Sequence, residues 1–322
     1  MWSALAYSFA IFALLLGAFG AYTSVRARQI EARIARLYPP LGQLVRVQGG
    51  VVHVVQRGSG PDVVLLHGAG TNLRDFPEAL VAALAQDFRV TLMDRPGSGH
   101  TARLMRIATP KAQAVALSQA AGALGLHAPI VVGHSYGATV AAAWALCGPA
   151  LAVRPAALVL IAGPLMPAPL ALPWLRRFAR SPTLRRVFAL LATSWTPSAL
   201  VRRVAGAAFA PEQMPRGYVK HTAVRLTLRR ANLRATAKQV SVLSGALRQL
   251  GAKLPRLALP VEILHGTADE VVPYEAHSAA AARLIPGARL TPLPGRGHML
   301  HHTAPDEIIA AIRRAAALAL PA

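Results

Sequence analysis

A serine between two glycines is the first residue of this sequence whose setting suits a nucleophile. Ser135 lies in IVVGHSYGATV, where a strand-like apolar run leads into Gly133 and a helix-like run follows Gly137. A tight strand-to-helix turn holds such a serine in a strained conformation and exposes its hydroxyl at the carboxyl end of a sheet. It also aims the backbone N–H of Tyr136 at charge that develops beside the hydroxyl. The pattern alone fits close strand–helix packing equally well, so the interpretation depends on the rest of the chain.

A serine hydroxyl is a poor nucleophile until a base removes its proton. His298 in PLPGRGHML follows a strand-like segment and is the candidate base, and Asp269 in ILHGTADEVVP is the candidate acid that orients it. All three residues fall at the carboxyl ends of strands, where an open α/β sheet forms its ligand crevice. Glu270 competes with Asp269, but the Gly-x-x-Asp spacing after the strand favours Asp269. We therefore predict Ser135 as nucleophile, Asp269 as acid and His298 as base.

A tetrahedral oxyanion needs two hydrogen-bond donors, and Tyr136 N–H supplies the first. The loop after the first central strand reads His67-Gly68-Ala69-Gly70, and we assign the second donor to Ala69 N–H. His301 and His302 follow the candidate base, but no carboxylate or cysteine stands at ligand spacing beside them. The sequence therefore predicts no metal and no cofactor. A single cysteine excludes an intramolecular disulfide.

The elements that must position these residues alternate along the chain. Buried strands are expected at 63–66, 88–94, 129–133 and 156–162, with helices between them, and the alternation resumes with strands at 261–266 and 289–293. Such alternation predicts a mostly parallel sheet flanked by helices, and Gly49-Gly50 predicts a hairpin before it. Residues 165–256 contain no clear strand. We therefore divide the globular part into a first core segment (44–164), a helical cap (165–256) and a second core segment (257–322).

The N-terminus has the composition of a membrane span. Residues 1–22 carry no charged side chain, with Trp2 and Tyr22 near the two ends. We predict a transmembrane anchor over 1–23 and a basic juxtamembrane segment over 24–43. Arginines follow the apolar run instead of preceding it, so the positive-inside rule places the catalytic domain in the cytoplasm. The alternative is a cleaved signal peptide and a secreted or periplasmic enzyme.

The motifs together resemble the α/β-hydrolase superfamily. They are LLHGAG, MDRPGSGH, GHSYGA, LHGTADEVVP and GRGHM, and they bracket 44–322 apart from the insertion. The resemblance implies an acyl-enzyme hydrolase with Ser135, Asp269 and His298 as its triad, Ala69 and Tyr136 as oxyanion donors, and the insertion as the variable cap. Relatives that open epoxides or remove halides use a carboxylate nucleophile, so serine favours an esterase or lipase-like enzyme. Amide, thioester, carbon–carbon and perhydrolase chemistry, and a non-catalytic binding role, are the alternatives.

The positive charge of the chain is concentrated in the cap. The whole chain has a net charge of +22, and residues 165–256 hold 17 Lys or Arg against one acidic residue, a net +16. The segment PWLRRFARSPTLRRVFALLATSW mixes arginine pairs with large apolar side chains, which is typical of an interfacial helix and also of a cap helix over a pocket. Basic stripes with interleaved aromatics are missing, so we expect no nucleic acid. The predicted partners are an anionic membrane surface and a small hydrophobic ester or lipid substrate.

Overall fold

A computed structural model describes residues 2–101, 107–168 and 181–319 of this chain. Within them, eight strands form one sheet in the order β1-β2-β4-β3-β5-β6-β7-β8. The first two strands form the antiparallel hairpin that the sequence predicted, β2 also pairs antiparallel with β4, and the remaining pairs are parallel. The strands are β1 (Gln43–Val47), β2 (Gly50–Arg57), β3 (Asp62–Leu66), β4 (Arg89–Met93), β5 (Ile130–His134), β6 (Ala157–Ile161), β7 (Val261–Gly266) and β8 (Arg289–Leu293).

Helices cover both faces of the sheet, which explains why the central strands are continuous apolar runs. Every residue of β3, β5, β6 and β7 is buried. The α-helices of the described residues are α1 (Trp2–Leu37), α2 (Glu78–Leu84), α3 (Pro110–Ala123), α4 (Tyr136–Leu146), α5 (Pro182–Trp195), α6 (Ser198–Ala207), α7 (Tyr218–His221), α8 (Arg230–Gly251), α9 (Ala280–Ala282), α10 (Leu300–Thr303) and α11 (Pro305–Ala319). One core lies under α3, α4 and α8 and the other under α2 and α11. The predicted α/β class with a mostly parallel sheet is confirmed.

The cap is inserted between β6 and β7 and is helical where it is described. It contains α5 to α8. Trp174 and Phe178, which the sequence placed at the start of an interfacial helix, lie outside the described residues. Polar contacts join the cap to the core: Asn72 Nδ2 donates to Thr222 O at 2.9 Å, and Gln239 Nε2 donates to Pro96 O at 2.7 Å. The cap is therefore fixed over the carboxyl ends of the strands.

One uninterrupted helix, α1, covers the predicted anchor and the predicted juxtamembrane segment as far as Leu37. Its N-terminal part is exposed and is long and apolar enough to cross a membrane. From Thr23 onward a stripe of side chains at helical spacing packs on the cap, with Thr23, Ala27 and Ile34 fully buried. At the end of the helix, Arg230 of α8 forms a bidentate ion pair with Glu31, with Nη2–Oε2 and Nε–Oε1 distances of 2.6 and 3.1 Å. The helix thus continues from a candidate membrane span into a docked element of the cap.

Candidate active site

Ser135 occupies the turn between β5 and α4. Its backbone has φ 53° and ψ −122°, a left-handed conformation that a residue with a side chain adopts at a cost. The turn is held by the Ser135 N–H, which donates to Ile161 O at 2.8 Å, and by the Ala138 N–H, which donates to Ser135 O at 2.9 Å. Tyr136 is the first residue of α4, so its N–H lies at the positive end of the helix dipole. This is the strained turn that the sequence predicted.

The two flanking glycines are required by close approach. A Cβ on Gly133 would collide with the backbone of Gly137, and a Cβ on Gly137 would collide with the carbonyl oxygen of Leu66 on β3. Strand, turn and helix are packed without room for a side chain at either position. The geometry of the turn therefore requires glycine at both Gly133 and Gly137.

Asp269 and His298 are brought together at the carboxyl end of β7. His298 Nδ1 lies 2.7 Å from Asp269 Oδ2, and both side chains are almost fully buried. Because a carboxylate only accepts hydrogen bonds, Nδ1 carries the proton and Nε2 remains as the acceptor of the ring. Glu270, the competing carboxylate, is exposed to solvent. The structure therefore pairs the candidate base with the carboxylate that the spacing favoured.

Asp269 is surrounded by donors that hold it ionised. The Val271 and Val272 N–H groups each donate to Oδ1 at 2.8 Å. His265, which sequence reasoning missed, places Nε2 3.0 Å from Oδ2 and 2.8 Å from Val272 O, and both partners are acceptors, so this nitrogen is protonated. Burial raises the pKa of the Asp269 carboxyl, but the hydrogen bonds from His265 and His298 outweigh it and hold that pKa well below its usual range. The only signal in the sequence was the histidine four residues before the aspartate.

The loop that carries Ala69 is held from beneath by a fully buried arginine. Arg95 Nε donates to His67 O at 2.7 Å and Nη2 donates to Gly68 O at 2.8 Å, while its guanidinium lies 4.6 Å from the centre of the Tyr136 ring. Burial, together with the Arg95 charge, lowers the pKa of His67 to about 4, so that imidazole is neutral and its Nε2 accepts from Arg95 N–H. These bonds support the loop whose residue Ala69 lines the same cavity as Ser135.

A second polar cluster lies behind the active-site histidine. Asp75 Oδ2 is 3.5 Å from His301 Nε2, Asp75 Oδ1 is 3.6 Å from His302 Nε2, and Tyr218 of the cap donates to Oδ1 at 2.7 Å. Sequence analysis found no carboxylate beside these histidines, because Asp75 is distant along the chain. The three side chains offer ligand atoms within 4.8 Å of one another, so among the described residues they form a group that could hold a metal ion. Burial raises the pKa of Asp75, but the two histidines outweigh it and keep the carboxyl ionised.

Three of the candidate residues, Ala69, Ser135 and His298, share one apolar cavity of about 490 Å³. Ser135, His298 and Ala69 line its base, and apolar side chains of α5 and α6 line its cap side. Gly68 is so close to the nucleophile that a Cβ built there would lie 3.2 Å from Ser135 Cβ. A neighbouring cavity of about 560 Å³ extends beyond Tyr218 and contains none of the predicted catalytic residues. The first cavity is therefore the candidate ligand site.

Comparison with known proteins agrees with this geometry. A sequence model of the alpha/beta hydrolase fold matches residues 61–305. The Magnesium-chelatase 30 kDa subunit of Rhodobacter capsulatus is 31% identical over 270 residues, covering 77% of this chain and 84% of that protein. Pimeloyl-[acyl-carrier protein] methyl ester esterase of Vibrio vulnificus (strain YJ016) is 40% identical over 98 residues, a local match covering 30% of this chain and 35% of the esterase.

Solved structures share the architecture. A thermophilic esterase from Thermogutta terrifontis superposes with a TM-score of 0.68 at 24% identity, covering 85% of this chain and 97% of the esterase. An enol-lactonase from Burkholderia xenovorans LB400 superposes with a TM-score of 0.66 at 20% identity, covering 85% and 100%. At these identities the superpositions establish the fold. The family match spans three quarters of the chain, so the protein belongs to the alpha/beta hydrolase fold family.

Proposed function

We propose that this protein is a membrane-anchored serine hydrolase that cleaves hydrophobic carboxylic esters through an acyl-enzyme. The observation that carries the proposal is the shared cavity: Ser135 on its strained turn and His298, already bonded to Asp269, line the same apolar space. Two of the similar proteins are named as esterases, which supports ester hydrolysis over the other reactions of the family.

The proposed reaction has two halves. Ser135 Oγ attacks the carbonyl carbon while His298 Nε2 takes the hydroxyl proton, and the oxyanion is bound by the N–H groups of Ala69 and Tyr136. The imidazolium, stabilised by Asp269, gives its proton to the departing alkoxide, which leaves as an alcohol. Water then gives a proton to His298 and adds to the acyl-enzyme, and collapse of the second tetrahedral intermediate releases the acid and restores the serine.

The cavity wall indicates the class of substrate. The side chains that the cap contributes include Phe188, Leu200, Val201 and Val204, and none of the described residues that line the cavity is Asp, Glu, Lys or Arg. An apolar wall binds an acyl or alcohol group by the hydrophobic effect and offers no partner for a charged one. Hydrophobic esters or lipids therefore fit better than charged metabolites.

Fluorophosphonate labelling tests the chemistry. We expect the wild-type chain to be labelled at Ser135, and the Ser135→Ala variant to be unlabelled and inactive on a panel of p-nitrophenyl esters of increasing chain length. Activity should rise with chain length up to the size of the cavity. A folded wild-type chain that reacts with no fluorophosphonate and hydrolyses no ester would support a non-catalytic binding protein instead.

The anchor and its orientation belong to the same proposal. The exposed, uncharged part of α1 fits a span, and the basic residues that follow it favour a cytoplasmic catalytic domain. The continuous helix docked on the cap supports an uncleaved anchor over a signal peptide, because cleavage near residue 22 would cut the helix at the edge of its docking site. An epitope at the C-terminus should be protected from external protease in spheroplasts. Digestion of that epitope would place the domain outside.

A further inference from the structure

The cap carries an exposed apolar face beside the anchor. Large side chains repeat at helical spacing along one side of α5 and continue onto α6, and all of them are more than a third exposed to solvent. We call this set the apolar cap face: Leu184, Val187, Phe188, Leu191, Trp195, Leu200 and Val204. Continuous exposed apolar surface of this kind marks an interaction site with protein, membrane or ligand.

The mouth of the active-site cavity lies in this face. Phe188, Leu200 and Val204 belong to the apolar cap face and also line the cavity that contains Ser135. Because these three side chains are accessible to solvent and also form part of the cavity wall, the cavity is taken to open at this face. Whatever covers the apolar cap face therefore meets the entrance to Ser135.

The anchor fixes the depth of this face relative to a bilayer. Trp195 stacks on Phe19 at 6.2 Å between ring centroids, and Tyr22 is 6.0 Å from the same ring. Residues 2–22 rise about 30 Å as a helix, which matches a hydrocarbon core. If those residues span the membrane, Trp195 lies at the boundary between lipid and water, where aromatic rings are favoured.

Hydrogen bonds make the junction stiff. Ser194 Oγ donates to Thr23 O at 3.0 Å, and Arg26 Nε donates to Ser194 O at 2.9 Å while its guanidinium lies 4.6 Å from the Trp195 ring centre. The C-terminal end of α5 is thus bonded to the helix at the point where the uncharged segment ends. The cap cannot swing far from the membrane surface while these contacts hold.

We propose that the apolar cap face lies in the bilayer interface and that the cavity takes its ester directly from the lipid phase. The occupant is lipid instead of a second copy of the chain, because the face is continuous with a candidate span. Charge supports the same choice: residues 182–207 contain no Asp or Glu, and Arg186, Arg202 and Arg203 are exposed around the face, as suits anionic headgroups. This inference rests on the proposed function and adds the source and route of the substrate.

Depth-dependent fluorescence quenching tests whether the apolar cap face lies in the bilayer interface, and it does not require hydrolysis. In the full chain with Cys147→Ser, a Leu191→Cys variant carries an environment-sensitive fluorophore and is reconstituted into phosphatidylcholine–phosphatidylglycerol liposomes with nitroxide-labelled lipids. The matched control is Leu318→Cys, on α11 and equally apolar, with 70% of its side chain exposed. We expect nitroxides near the headgroup to quench the first probe and not the second. Equal quenching at both positions, or none at Leu191, would overturn the proposal.

A comparison of two esters, one dissolved in the bilayer and one soluble in water, tests whether the substrate enters from the lipid phase. The double variant Val187→Glu/Leu191→Glu alters exposed residues that do not line the cavity, and Leu318→Glu is its control. In liposomes, the double variant should hydrolyse a bilayer-dissolved long-chain ester at least about tenfold more slowly than wild type, because charged side chains replace two apolar ones that contact lipid. It should hydrolyse a water-soluble acetate ester at the wild-type rate. Equal loss on both esters, or loss on neither, contradicts the route. A wild-type chain inactive on both esters refutes the proposed function, and the quenching result still decides where the cap lies.

Discussion

The candidate active-site corner and the cap differ in which side chains they bury. By the corner we mean Ser135, Asp269, His298, the loop 67–70, and Asp94 and Arg95 beside that loop. In the corner, polar side chains are buried and each important one has fixed partners: Asp269 has four donors within 3.0 Å, and Arg95 uses its guanidinium on the carbonyl oxygens of the oxyanion loop. In the cap, large apolar side chains are exposed while basic ones surround them. Hydrogen bonds therefore orient the candidate catalytic residues of the corner, whereas the cap presents apolar side chains to solvent.

This difference separates the residues proposed for the chemistry from those proposed for access of the substrate. Bonding within the corner determines proton positions, so its variants should change the rate on every substrate. Contacts of the cap with α1 and with solvent determine access, so its variants should change rates only on substrates held in lipid. Four predictions test this separation.

The largest effect is expected from Asp269→Asn in the corner. The amide cannot replace the carboxylate that holds the proton on His298 Nδ1 and stabilises the imidazolium, so kcat/KM should fall by about 10³- to 10⁴-fold on soluble and bilayer esters alike. The neighbouring Glu270→Gln is the matched control, because that side chain is exposed, and it should stay within about twofold of wild type. A large loss in the control with a small loss in the variant would assign the acid to Glu270.

Removal of the buried arginine should have the next largest effect. Arg95→Met fills much of the same volume but removes the donors to the buried oxygens of His67 O, Gln113 Oε1 and Gln239 Oε1, which should cost about 2–4 kcal/mol of unfolding free energy. Denaturant unfolding in detergent measures the loss. Because the loop with Ala69 loses its support, kcat should fall more than KM rises. A variant as stable as wild type with unchanged kcat would show that the loop is held by other contacts.

Acid should weaken the corner through Asp94. Burial raises its pKa, but the hydrogen bond from His53 and other favourable contacts outweigh burial and lower the pKa to about 2. A lowered folded-state pKa gives stability that is present above the unfolded value near 4 and is lost as the pH falls through about 2. Between these pH values, wild type should lose on the order of 2 kcal/mol more unfolding free energy than Asp94→Asn. Parallel pH curves for the two proteins would contradict the assignment.

The residues of the corner were predictable because local sequence determines them. The turn around Ser135 has no room for a Cβ at either flanking glycine, and strands that end just before Ser135 and Asp269 bring distant segments to one edge of the sheet. His265 and Asp75 were missed for a physical reason. Their roles depend on which side chains face each other after folding, and a histidine or aspartate has no local pattern that reports its partner.

The cap was less predictable because its sequence satisfies two environments at once. Alternating arginine and apolar side chains fit both a helix over a pocket and a helix on lipid, and Phe188 both lines the cavity and is more than a third exposed to solvent. The docking of α1 was also missed, although Thr23, Ala27, Ile30 and Ile34 repeat at helical spacing. Side chains that repeat at helical spacing after a membrane span do not indicate which surface they will pack against.

The smallest effect is expected at the ion pair that joins α1 to the cap. Glu31 and Arg230 are both partly exposed, so solvent screens the pair, and a double-mutant cycle with Glu31→Gln and Arg230→Gln should give a coupling energy below about 1 kcal/mol. The pair should still exceed the more exposed Arg313–Asp87 pair on the core, because Arg230 Nη2, Nε and backbone N–H all donate to Glu31. High salt should reduce both couplings. If the two cycles give equal values, the partial burial of the Glu31–Arg230 pair adds nothing, and α1 is held on the cap by its buried stripe, the Trp195 contacts and the hydrogen bonds of Ser194 and Arg26.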